Sequence, residues 1–319
     1  MGRARRRRSR WVWAGVALAV AVVAVALPHL DTQAGGVIPA AQALVPLGAV
    51  GLVVLAVVPL FFRAWAAAAI LVVGAVMAGL PTLTPLRAAA ECATTTTVTV
   101  VTFNAKFAGA DPALLAERID EAGADIVALV ETDETHIDAV LSERGLAAAL
   151  PYRTRETSEG GVNGSVILSA FPLRDGEDIE GSVFDQVTAV AALPDGEEFR
   201  VAAVHPPPPI GQPADWRAGL GALEQWIREA PDERLIVAGD LNASYAHPAF
   251  RHLASTLRTA AEAAGPIPWP TWPEERPVPA FTAIDHVLAR GAVPMAWDSF
   301  SVPGSDHRGV VGEWSLCGA

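Results

Sequence analysis

From Trp11 to Leu80 the chain passes through three stretches almost free of polar residues: WVWAGVALAVAVVAVALPHL (11–30), ALVPLGAVGLVVLAVVPLFF (43–62) and AWAAAAILVVGAVMAGL (64–80). No polar face interrupts them, as it would on a surface helix, and each is near the ~20 residues that cross a bilayer core. They read as three transmembrane helices. The first could instead be a signal peptide, but its length and the two runs behind it favour an anchor. From residue 98 the pattern changes. Short apolar runs (VTVVTF, DIVALVE, GSVILSAF, VTAVAAL, FRVAAVH, LIVAGDLN, AIDHVLA, GVVGEWSL) are interspersed with helix-spaced stretches at 111–123, 135–145, 214–230 and 247–257. Several of these strands are apolar throughout, as in sheets buried on both faces. The pattern predicts a single α/β domain over 98–319, two packed sheets with helices outside, joined to the spans by a linker at 81–97.

Charge is split along the chain. Residues 1–90 hold eight Arg against one acid, Asp31, for a net +7, whereas residues 91–319 hold 15 basic and 34 acidic residues, for a net −19. Six Arg in the polybasic head (1–10) place the N-terminus in the cytoplasm. The 31–42 loop has no Lys or Arg, and Arg63 sits between the second and third spans; Arg87 is a lone contrary charge. The expected arrangement is a multi-pass protein of the cell membrane with 81–319 extracytoplasmic. An acidic domain repels phosphate backbones, which disfavours non-specific nucleic-acid binding unless a divalent cation reverses the local sign. No basic stripe or stacking platform is evident. The expected partners are the lipid bilayer and a substrate; nothing points to a protein partner. The two cysteines, Cys92 and Cys317, flank strand-like runs at opposite ends of the domain. An oxidising compartment permits a bridge, and on the residues alone a bridge and two buried thiols are equally open.

Polar residues gather where the apolar runs stop: Asn104, Glu131, His205, Asp240 with Asn242, Asp285 with His286, and Asp306 with His307. Strand ends are where a rigid sheet presents functional groups. Carboxylates and amide oxygens are hard ligands suited to Mg²⁺ or Mn²⁺, whereas zinc would want more His or Cys. Histidine beside a carboxylate is an acid–base pair, and metal with an activated water suits phosphate-ester hydrolysis. A serine hydrolase would need a G-x-S-x-G elbow; GVNGSVI (161–167) has Gly161, Gly164 and Ser165 without that spacing. Each residue also has a structural reading. Asn104 could cap a turn, Glu131 could be a solvated member of ETDE, and His205 could simply open the HPPPP segment. Strand alternation turns His286 away from Asp285, so His286 is left out of the site. His136, His247 and His252 read as surface residues on helices, and Trp269 and Trp272 as loop packing.

The stretches VVTFNAK, DIVALVETDE, GSVILSAFPL, VAAVHPPPP, IVAGDLNAS, TWP (271–273), IDHVLARG and GSDHRGVVGEW, in this order, resemble the endonuclease/exonuclease/phosphatase superfamily with its deoxyribonuclease-I-like fold. Three spans ahead of such a domain resemble a membrane-anchored bacterial branch. The resemblance implies a four-layer α/β sandwich and a Mg²⁺- or Mn²⁺-dependent phosphoesterase. It makes Glu131 the main metal ligand, with Asn104 and Asp306 close to the metal. Asp240 would orient the attacking water and Asn242 would bind phosphate. His205 would contact phosphate or donate a proton, and His307, oriented by Asp285, would act in acid–base chemistry. Lys106, the only lysine, stands where DNA-repair members tend to have an acid, and is read as a phosphate contact or a partner for a carboxylate. Neighbouring first and last strands would bring Cys92 and Cys317 together as a disulfide. The implied substrates are nucleic acid, phospholipid or sugar phosphate; a catalytically silent membrane-anchored binding domain is the alternative of another class.

Overall fold

The computed structural model describes residues 2–87, 94–155, 157 and 161–317. Five helices open the chain: α1 (Gly2–Ala26), α2 (Val37–Ala43), α3 (Val45–Leu55), α4 (Val57–Phe61) and α5 (Trp65–Gly79). Two helices, Arg10–His29 and Trp65–Thr82, are long and apolar enough to cross a membrane. There are up to three if Ala34–Ala43 and Val45–Phe61, bent by 60° against each other, form one span. The stretch expected as a single second helix, 43–62, is therefore broken, and prolines account for it. The chain bends at Leu44 just ahead of Pro46, and Pro59 cannot donate to the carbonyl of Leu55, where α3 gives way to α4. Small residues, Ala17, Ala67, Ala68 and Ala75 among them, form the contact between these helices.

The α/β domain holds β1 (Thr94–Asn104), α6 (Pro112–Ala122), β2 (Ile126–Val130), α7 (Glu134–Ser142), α8 (Leu146–Ala149), β3 (Tyr152–Arg153), β4 (Ser165–Ser169), β5 (Leu173–Asp175) and β6 (Val187–Ala192). It continues with β7 (Glu198–Val204), α9 (Pro213–Glu229), β8 (Leu235–Asp240), α10 (Pro248–Leu253), β9 (Arg258–Thr259), β10 (Asp285–Arg290), β11 (Ala292–Ser301) and β12 (Arg308–Cys317). One sheet runs β11-β12-β1-β2-β4-β3 and the other β5-β6-β7-β8-β10-β9. Both are mixed, with one parallel pair each, β1/β2 and β7/β8. Val100, Ile126, Ile167, Val201 and Trp314 belong to the core between the sheets. Leu115, Ile119 and Ile137 seat α6 and α7 on the outer face of the first sheet, and Trp216, Leu223 and Phe250 seat α9 and α10 on the second. The layers are helix, sheet, sheet, helix, the sandwich that the sequence led one to expect.

One boundary differs from the sequence reading. β1 begins at Thr94, inside the stretch read as linker, because its β-branched threonines pair with β12, Thr94 opposite Cys317. Cys92 lies outside the described residues, so its pairing with Cys317 is not described. β11 is an edge strand that the pattern did not announce; Pro294 sits beside its register shift, a position where proline is tolerated.

The topology sets the site. β1, β2, β7 and β8 all end at one edge of the sandwich, and antiparallel β10 and β12 begin there, with Asp285 opposite Asp240. The two sheets thus deliver Asn104, Glu131, His205, Asp240, Asp285 and His307 to one place. A side chain at Gly239 would run into the carbonyl of Val204, so glycine is needed where β8 approaches β7 just before Asp240.

The domain also rests on the ends of the apolar helices. Arg217 pairs with Asp31, the Thr84 amide donates to the Pro266 carbonyl at 2.9 Å, and His247 Nε2 lies 3.0 Å from the Pro39 carbonyl oxygen. Gly36, with φ of +84°, lets the turn before α2 lie directly against Pro209.

Candidate active site

Glu131 leaves β2 in a left-handed conformation, φ 50°, which is strained for a residue with a long side chain. The turn aims its carboxylate across the sheet edge. Oε1 accepts from Asn104 Nδ2 at 3.0 Å and Oε2 accepts from the Phe107 amide at 3.2 Å. Lys106, Phe107 and Ala108 are themselves left-handed, and the Lys106 amide donates to Asn104 Oδ1 at 2.9 Å. Asn104 Nδ2 also reaches Asp240 Oδ2 at 3.1 Å, so one amide spans both carboxylates. His205 closes this corner. Its Nε2 lies 3.4 Å from Glu131 Oε1 and 3.7 Å from Asp240 Oδ2, while its ring stacks on Phe184 at 4.9 Å between centroids.

The second corner is built around His307. Both oxygens of Asp285 hold its Nδ1, at 3.1 and 3.0 Å, and its Nε2 faces Asp240 Oδ2 at 3.7 Å. Asp285 is fixed in turn by the Thr271 side chain, whose Oγ1 accepts from the amides of both Ile284 and Asp285. Ser305 ties the loop down, accepting from the His307 amide at 3.0 Å and donating to the Asn104 carbonyl at 2.7 Å. The Asn242 amide donates to Asp240 Oδ1 at 2.7 Å; Asn242, at φ 48°, turns its Nδ2 to the Pro206 carbonyl.

These contacts split the charge states. Burial, opposed by Asn104, lifts the Glu131 carboxyl above its usual range. Burial lifts Asp240 as well, against the pull of His307. For His307 itself burial disfavours the charge, but Asp285 and Asp240 outweigh burial and push the imidazole up to about 10. For His205, burial and then the His307 charge push the imidazole down to about 3. His205 is neutral and buried, and among the described residues neither of its ring nitrogens has a hydrogen-bond partner. An unpartnered buried polar group costs about 1–3 kcal/mol. His205 Nε2 faces both carboxylates, and a cation between the three would give that nitrogen a partner. Glu131, His205 and Asp240 can each offer an atom to one metal ion, and so can Asp240, Asp285 and His307. The residues therefore fit a divalent cation, best at the first set, where the nitrogen is neutral.

Of the residues singled out in the sequence, Asn104, Glu131, His205, Asp240, Asp285 and His307 converge. Asn242 sits beside them through Asp240. Asp306 is turned to Arg276 Nη2 at 2.8 Å and to Lys106 Nζ at 3.7 Å, outside both donor sets. Burial opposes the effect, but Arg276 and His307 hold its carboxyl below the usual range. Lys106 thus faces a carboxylate. His286 points away, its Nε2 2.9 Å from the Ala243 carbonyl and its ring on Phe250. His252 is exposed, as expected, but His136 and His247 are buried rather than on the surface. His136 bridges Thr132 and the Ala110 carbonyl, and His247 is enclosed by Ser244 and Pro39. Helical spacing could not show that other segments cover those faces. Trp269 is half exposed and stacks on Trp297, while Trp272 meets Phe281 edge-on. Thr271, Arg276, Phe184 and Ser305 were not picked out individually; Thr271 and Ser305 lie in the TWP and GSDH stretches, but their contacts needed the fold.

Residues 101–307 match the model of the Endonuclease/Exonuclease/phosphatase family. Among solved structures, zebrafish (D. rerio) TDP2 complexed with a single-strand DNA product is 16% identical, covering 69% of this chain and 99% of that one at a TM-score of 0.55. A mannosyl-6-phosphatase from Bacteroides thetaiotaomicron is 16% identical, covering 68% and 99% at a TM-score of 0.52. An endonuclease/exonuclease/phosphatase from Beutenbergia cavernae is 21% identical, covering 70% and 72% at 0.51. No curated protein matches the chain. At these identities the structures are alike in fold, and the family model, which spans most of the chain, shows that the protein belongs to the endonuclease/exonuclease/phosphatase family.

Proposed function

We propose that the protein is a divalent-metal-dependent phosphoesterase, held in the cell membrane by its N-terminal helices, with the α/β domain extracytoplasmic. The observation that carries the activity is the meeting of Glu131, Asp240 and an unpartnered His205 on one side of the Asp285–His307 pair. Glu131, His205 and Asp240 would hold Mg²⁺ or Mn²⁺, with Asn104 fixing both carboxylates. A bound cation supplies charge neutralisation at a phosphoryl oxygen.

The protein's own groups account for the remaining chemistry. Asp240, its Oδ1 held by the Asn242 amide, orients the attacking water and takes its proton. His307, kept protonated and aimed by Asp285, donates an Nε2–H hydrogen bond to the phosphate as charge develops, while the ester P–O bond breaks opposite the entering water and its oxygen leaves with a proton from solvent. Asn242 binds a phosphate oxygen if its side chain leaves the Pro206 carbonyl. The six Arg ahead of the first span, and the absence of Lys and Arg from 31–42, support the orientation. The structural neighbours include a TDP2 complexed with a single-strand DNA product and a mannosyl-6-phosphatase, which supports phosphate-ester chemistry. The test is hydrolysis of a phosphomonoester and a phosphodiester panel with Mn²⁺ by the detergent-solubilised chain. Metal-dependent turnover of at least one substrate is expected; none with any would favour a silent binding domain.

A further inference from the structure

An apolar groove of about 290 Å³ runs between α2 and the α/β domain. Pro39, Ala40 and Leu44 form one wall, and Pro209, Ile210 and Phe281 stand on the other. Asn242 also lines it, and the Asn242 amide donates to Asp240 Oδ1. Through Asn242 and Ile284, the residue before Asp285, the groove lies beside the reactive cluster, and on its other side is the segment that bends by 60° into an apolar helix. Its outer residues are open: Ile210 is 68% and Leu44 47% exposed. Among the described residues no Lys or Arg lines it, so it offers nothing to a phosphate backbone, which nucleic-acid grooves recognise with cations. An apolar surface of this kind beside a polar site suits a ligand with one apolar end.

We infer that the substrate is a lipid phosphoester, its phosphate at Asp240 and His307 and its hydrocarbon chain in the groove between α2 and the Pro208–Ile210 loop. This rests on the phosphoesterase reading. The anchor then does more than tether the domain: α2 supplies half of the chain-binding wall, and the bend at Leu44 sets the groove mouth where bilayer and water meet.

The test uses the full chain in phosphatidylcholine nanodiscs with Mn²⁺ and two readouts. Binding compares octylphosphonate with methylphosphonate. Burying a methylene strengthens binding by up to about fourfold, so the octyl compound should bind at least about tenfold tighter. Turnover compares phosphatidic acid with glycerol phosphate and plasmid DNA. Ala40→Trp, which fills the groove, and Ile210→Glu, which charges an exposed position and should fold normally, should each lower phosphatidic acid hydrolysis at least tenfold. Hydrolysis of glycerol phosphate should change less than twofold. Equal binding of the two phosphonates, or variants that hydrolyse phosphatidic acid like wild type, would overturn the inference while leaving the phosphoesterase reading intact. Loss of turnover on every substrate in wild type would instead remove the phosphoesterase reading, and the inference with it.

Discussion

His205 follows β7 in one sheet and His307 precedes β12 in the other, both buried, both within 3.7 Å of Asp240 Oδ2, yet one is held neutral and the other protonated. The difference lies in the other ring nitrogen. Asp285 holds Nδ1 of His307, and the imidazole is pushed up to about 10; no described residue bonds Nδ1 of His205, and it is pushed down to about 3. Burial alone makes a histidine a neutral donor of lone pairs, whereas burial with a dedicated carboxylate makes it a stored proton. In the proposed reaction one site would thereby obtain a metal-ligand nitrogen and an acid from the same residue type.

The largest effect should come from Asp240, which both corners share. Asp240→Ala should lower hydrolysis by about 10³-fold or more, since it would remove the proposed general base as well as a proposed metal contact. His307→Gln should cost about 10²–10⁴-fold, and added Mn²⁺ should not restore the rate. His205→Gln should behave differently: a roughly 10–100-fold weaker apparent Mn²⁺ affinity, with much of the rate regained at saturating metal. A metal titration of both variants checks the distinction. If high Mn²⁺ rescues neither or both, the two histidines do not have separate roles. Asp285→Asn should leave metal affinity near wild type but lower the basic limb of the pH–rate profile, because His307 loses the carboxylate that keeps it protonated.

How far could this have been read without the fold? The strand ends were legible because polar residues bound these apolar runs, after β1, β2, β7 and β8 and ahead of β10 and β12. Asp285 and His286 could be told apart by alternation alone. The charge difference between His205 and His307 was not legible, since it depends on which side chain from a distant strand reaches Nδ1. Asp306 looked like a metal neighbour in GSDH, but Arg276, 30 residues away, draws it aside. Burial of His136 and His247 was hidden for the same reason: their covers, the β1–α6 loop and α2, come from elsewhere in the chain. β11 was missed because AVPMAWDSFS contains a proline and no strict alternation, which an edge strand tolerates.

The smallest effect is on stability. Burial pushes His247 and His286, both outside the metal-binding set, down to about 4 from an ordinary 6.5. The unfolded chain takes up protons below 6.5 that the folded chain refuses, so their contribution is fully present above 6.5 and is lost as pH falls to about 4. The unfolding temperature of the solubilised chain should therefore drop across that window. His247→Gln should make the drop shallower; an unchanged slope would show that His247 is not held neutral in the fold.

The most direct measurement is the Mn²⁺ dependence of phosphoester hydrolysis by the purified full chain, wild type beside Glu131→Ala and Asp240→Ala. The account predicts saturable, metal-dependent turnover in wild type and almost none in either variant at any Mn²⁺ concentration. Wild-type-like rates in either variant would contradict it.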